Sequence, residues 1–123
     1  AIAVAFVAIL ATAVLKVNAE IEPEKGILVG QVVELSTLAM IGDLEANLEA
    51  AKARAEEGFP VALIEEETGA MWILVYRNSA PASHLELANK HVQEYMGMQV
   101  VVQGLKYAKD GVNVIRFSTI SEY

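Results

Sequence analysis

Residues 1–15, AIAVAFVAILATAVL, hold no charge, no glycine and no proline, and polarity returns abruptly at Lys16. Leaving so long an apolar run in water is unfavourable, so it must be buried in lipid, in a partner or in copies of the same chain. A secretory hydrophobic region runs about 7–15 residues and is normally removed, whereas a bilayer-spanning helix needs about 20. As a helix the run would measure about 22 Å, short of a hydrocarbon core about 30 Å thick. Val17-Asn18-Ala19 also offers a small-x-small site of the kind a signal peptidase accepts. No Met and no basic residue precede the run, so we expect Ala1 not to be the translated start. The expected membrane or assembly segment comprises Ala1, Ile2, Val4, Phe6, Val7, Ile9, Leu10, Val14 and Leu15, with Lys16 snorkelling at its edge. We thus expect an apolar N-terminal helix over 1–19, a linker over 20–26 and one domain over 27–123.

Charge narrows the partners. The chain has 9 Lys and Arg against 16 Asp and Glu, a net charge of −7. Affinity for nucleic acid comes mainly from cations neutralising phosphates, so no nucleic-acid partner is expected, and an anionic membrane surface is disfavoured on the same ground. With no cysteine there is no disulfide, thiolate metal site, c-type haem attachment or Cys nucleophile.

After the linker, punctuated by Pro23 and Gly26, ILVGQVVEL (27–35) reads as a strand, with Gly30 marking a bulge or bend. Residues 36–42 read as a connection. Asp43 then caps a helix over 44–57 whose stripe is Leu44, Leu48, Ala51 and Ala55, small enough to lie close on a sheet, and Gly58 ends it. PVALIEEETG and AMWILVYR form a hairpin turning at Glu66-Glu67-Thr68-Gly69. A second helix spans about 81–95, with Leu85, Ala88, Val92 and Tyr95 or Met96 as its stripe. Residues 98–111 and 112–120 form another hairpin on an Asp110-Gly111 turn. The fold class is therefore mainly β with helices (α+β). Its order matches an OB-like five-stranded Greek-key barrel, with one inserted helix between strands 1 and 2 and one between strands 3 and 4.

GQVVEL, the helix running into EEGFPVALIEEETGAMWILV, and GMQVVVQGLKYAKDGVNVIRF resemble a group of small prokaryotic extracytoplasmic OB-fold domains, membrane-anchored or secreted. The resemblance covers about residues 27–120 and implies a scaffold rather than a chemistry. Many such domains carry cysteines or histidines after strand 1 and in the first helix, which implies metal, haem or redox work there. Here Ser36, Thr37 and an Ala/Leu stripe stand in those places, so that chemistry does not carry over.

Few side chains could carry a reaction. His84 and His91 are two helical turns apart, about 10 Å, too far to share one metal ion. We favour a surface or structural role for both; an axial haem or metal ligand completed by a partner chain is the alternative. Glu65-Glu66-Glu67, with Glu56 and Glu57, reads as a solvated face rather than a cation site, because carboxylates along a strand alternate faces. Trp72, Tyr76, Tyr95, Tyr107 and Phe117 read as core or contact residues, and the four methionines as packing. No Ser-His-Asp order, phosphate-binding Gly loop or HExxH pattern occurs. We expect no cofactor and no catalysis.

The expected function is that of a structural or accessory subunit, anchored by its N-terminal helix. Its barrel would dock outside the cytoplasm on a larger membrane complex, of the respiratory or photosynthetic kind. The alternative is a pilin-like subunit of an extracellular filament, its apolar N-terminus buried in the filament core. The partners are accordingly other membrane subunits, or copies of the chain itself, with lipid around residues 1–15.

Overall fold

A computed structural model of the protein describes residues 22–76 and 88–123. The apolar segment with Lys16, and His84, lie outside the described residues. Five strands close into a barrel in the order β1-β2-β3-β5-β4. They are β1 (Glu24–Glu34), β2 (Val61–Glu65), β3 (Met71–Val75), β4 (Gln99–Lys109) and β5 (Val112–Glu122). Neighbours pair antiparallel except β3 and β5, which run parallel. The domain is mainly β, and the closed five-stranded barrel is compatible with the OB-like expectation.

Strand β1 begins at Glu24, ahead of the expected Ile27, and serves two neighbours. Glu24–Gln31 pairs with β4 and Gly30–Glu34 with β2. Gly30 sits in the overlap, and it is not the bulge that the sequence suggested. A Cβ there would collide with the Ile64 carbonyl, so glycine lets β2 come close at the handover. The ladder irregularity instead falls between Gln103 and Gly104, where β4 meets β5.

The two turns form as their residues require. Asp110 (φ 52°) and Gly111 (φ 84°) are both left-handed, the geometry of a type I′ hairpin. Alternate residues fill the barrel: Leu28 and Val32 from β1, Leu63 from β2, Trp72 and Leu74 from β3, Val100 and Val102 from β4, Ile115 and Phe117 from β5. Phe117 is the largest side chain with less than 2 % exposure.

Helix placement departs from the sequence reading. An unexpected short helix, α1 (Leu35–Met40), follows β1 where a connection was expected. Its six residues carry no visible helical period, and it forms because Glu34 caps it with its side chain. The expected 44–57 helix begins as a 3₁₀ turn over Glu45–Asn47, and only Leu48–Glu56 is α-helical (α2). Asp43 still serves the start, accepting the Ala46 N–H at 3.2 Å. The end closes through Gly58 N–H to Ala55 O and Phe59 N–H to Arg54 O, with Gly58 at φ 100°. Ala51 and Ala55 are fully buried, as a helix lying close on a sheet requires. The described part of the second expected helix is α3 (Ala88–Val92) followed by a 3₁₀ turn over Gln93–Tyr95. Among the described residues, no helix is long and apolar enough to cross a membrane.

The register fixes which end is which. β1 ends, β2 starts and β4 starts beside the helices, where Leu35 N–H bonds Pro60 O and Gly97 N–H bonds Val32 O. The β2–β3 and β4–β5 turns lie at the other end, with Asn113 Nδ2 donating to Met71 O. The chain enters β1 at that turn end, with Glu24 opposite Lys106.

Candidate functional site

Among the described residues, two cavities flank strand β5. The larger, about 690 Å³, lies along β1, β4 and β5 and is lined by Lys25, Ile27, Gln103, Leu105, Arg116 and Ser118, with Gly26, Gly104 and Phe117 behind them. The volume falls in the usual range for ligand clefts, about 300–1,000 Å³.

The groove follows from the pairing. Lys25 faces Leu105, and Leu105 faces Arg116, so one cross-strand row sets a leucine between two cations. In the next row on that face Ile27 stands opposite Gln103. Ile27 is 63 % exposed, an unusual position for a large apolar side chain. Behind the groove Gly26 and Gly104 are register partners. A Cβ on Gly104 would strike the Arg116 carbonyl and the Phe117 Cα, so glycine keeps β5 close beneath the groove. Ser118 Oγ donates to Gln103 O at 3.2 Å, tying the groove's rim across the irregularity. The Arg116 guanidinium carbon lies 5.8 Å from the centre of the Tyr107 ring, a cation–π geometry that orients it.

The electrostatics of the lining are opposite to those of the chain. Among the described residues, a protein of net charge −7 lines its larger cavity with two cations and no carboxylate. What the arrangement can do chemically is bind an anion beside apolar surface. It contains no nucleophile–base pair.

The second cavity, about 290 Å³, holds one residue singled out from the sequence. His91 stacks on Tyr76 with ring centroids 4.1 Å apart and planes 21° apart, and Tyr76 in turn leans on Phe117 at 5.2 Å. Glu94, Tyr95 and the β5 residues Ser118, Thr119 and Ile120 also line it. The stack is the relationship in which His91 takes part. Among the described residues, no three His, Asp or Glu side chains group to hold a metal ion.

The remaining acids have identifiable work or face water. Glu34 has no exposed surface, and its carboxylate accepts the backbone N–H and hydroxyl of both Ser36 and Thr37. Arg54 adds its charge at 3.9 Å. Ser36 and Thr37 thus serve the Glu34 cap of α1. Glu65 turns into the barrel mouth, where its Oε1 accepts Trp72 Nε1–H at 3.2 Å and Thr68 Oγ1–H at 2.8 Å. Glu66, Glu67, Glu56 and Glu57 are exposed, as a solvated face requires. Two methionines do not behave as packing: Met40 is 80 % exposed and Met71 is 37 % exposed.

Sequence reasoning missed the groove because it assigned Lys25 and Gly26 to a linker. Once β1 is extended back to Glu24, strand alternation sets Lys25 and Ile27 on the face opposite Leu28. An isoleucine on that face was the available signal. Compared with models of known protein families, with curated proteins and with solved structures, the chain finds no match.

Proposed function

We propose that the chain is a non-catalytic subunit tethered through its apolar N-terminal segment, with an OB-like Greek-key barrel outside the cytoplasm that docks at a membrane complex. The strand order, the parallel β3–β5 pair and the helix between β3 and β4 support the OB-like assignment. The likeness to small prokaryotic extracytoplasmic OB domains supports the compartment.

One observation carries the reading. The chain reaches β1 at the turn end of the barrel; Ile27, Val112 and Met71 are exposed apolar side chains on that half, and Met40, Ile41 and Phe59 are others beside the helices. Nine residues lie between Leu15 and Lys25, ten residue steps that even fully extended span at most about 35 Å. Whatever buries the apolar segment therefore lies within reach of this end, while the helices face away from it.

The absence of cysteine makes the test clean. Single variants Val112→Cys and Met40→Cys of the full chain are labelled in spheroplasts with an impermeant maleimide, alongside carbonate extraction of membranes. The expected result is a carbonate-resistant chain in which Met40→Cys labels without lysis and Val112→Cys is protected several-fold. Labelling only after lysis, equal labelling of both sites, or recovery as detergent-free micrometre polymers overturns the reading. The last outcome would favour the filament.

A further inference from the structure

We infer that the β1–β4–β5 groove is a phospholipid headgroup site, in which Lys25 and Arg116 hold the phosphate and Ile27 and Leu105 carry the start of an acyl chain. This inference rests on the tethered reading and names a ligand for that end of the barrel.

Three features of the groove point to the same chemistry. Lys25 and Arg116 flank Leu105 in one row, on outer strands about 10 Å apart, and both side chains are long enough to converge on one phosphate above it. Arginine presents a planar fork of N–H donors suited to phosphate oxygens, and its position over Tyr107 sets that fork's direction. The floor is apolar, with Ile27 standing open beside Leu105. A soluble anion would leave that floor wet, whereas an amphiphile covers it.

Charge selects among amphiphiles. At net charge −7 the chain is repelled at long range by an anionic bilayer, but a neutral, zwitterionic lipid escapes that repulsion and still brings a phosphate to the cations. Gln103 and Ser118 on the rim add neutral hydrogen-bonding groups around the headgroup. Location agrees, because the groove opens at the end of the barrel from which the chain leads back to its apolar segment.

The test is native mass spectrometry of the full chain released from nanodiscs of a zwitterionic phosphatidylcholine. The expected spectrum of the wild type retains one phospholipid per chain. In the Lys25→Gln/Arg116→Gln double variant the lipid-bound fraction falls at least tenfold, since each lost charged contact weakens binding by about tenfold. Ile27→Ser alters only an exposed side chain, so it keeps the fold and should reduce retention several-fold. Equal retention by wild type and double variant overturns the inference. So does full displacement by inorganic phosphate at the lipid's own concentration, which would assign the groove to a soluble anion. Protein cross-links from position 27 in place of lipid would overturn it in favour of a polypeptide partner. If the chain is carbonate-resistant but retains no lipid, only this inference falls. If it is not membrane-held at all, the tethered reading falls as well.

Discussion

The Glu34 carboxylate, which has no exposed surface, lies 3.9 Å from the Arg54 guanidinium. The contact joins the last residue of β1 to the last turn of α2 and sits on top of the cap of α1, so three elements meet at one buried charge. Five donors surround that charge, four of them on Ser36 and Thr37.

The two partners should therefore be unequal under mutation. Glu34→Ala removes the acceptor for every one of those donors and should lower stability by about 3 kcal/mol. Arg54→Ala leaves the carboxylate its local donors and should cost only about 1 kcal/mol. Urea unfolding of the full chain in detergent measures both. An Arg54 variant that is the weaker of the two would mean that the ion pair, not the cap, holds the carboxylate.

Close approach of backbones sets a ranking among glycines. Gly30→Ala and Gly104→Ala each drive a methyl into backbone atoms and should cost more than about 2 kcal/mol. Gly26→Ala meets only the flexible stem of Lys106 and should cost clearly less. Thermal unfolding of the three variants checks the order, and equal losses would refute it.

The chain's single tryptophan reports on the turn end of the barrel. Trp72 is nearly buried, bonded to Glu65, with the Lys106 ammonium 5.2 Å from its ring centre. Its emission should be blue-shifted and poorly quenched by acrylamide. Lys106→Ala uncovers the ring and should red-shift the emission, with a stability loss of about 0.5–1 kcal/mol. No change in quenching would place Trp72 elsewhere.

His91 discriminates a packing ring from a ligand. If its work is the stack on Tyr76, His91→Phe should retain wild-type stability and His91→Ala should lose about 1 kcal/mol. Differential scanning calorimetry of both variants decides the matter. Equal damage from Phe and Ala would show that an imidazole nitrogen is needed.

The strands and turns were legible from the sequence because their signals are local. Val, Ile and Leu runs, Asp110-Gly111 and Gly69 each act within a few residues, and each placed its element closely. What escaped was set by distant partners. Nothing within LSTLAM announces a helix; the capping carboxylate before it meets Arg54, and the Leu35 N–H meets Pro60 O, both from later in the chain. Gly30 looked like a bulge because a glycine in a strand has two explanations, and the Ile64 carbonyl that decides between them is 34 residues away. The groove was illegible for a related reason. Lys25, Leu105 and Arg116 become neighbours only through the register of β1 with β4 and of β4 with β5.

The way β1 is held also sets how the barrel bears force. A pull on the chain ahead of Glu24 runs along the strand, so it loads the whole Glu24–Gln31 ladder with β4 in shear rather than unzipping it from one end. Bonds loaded in shear must yield together. Beyond them the same strand is gripped from its other side by β2, so the barrel is joined to the chain ahead of Glu24 by the part of the sheet hardest to peel.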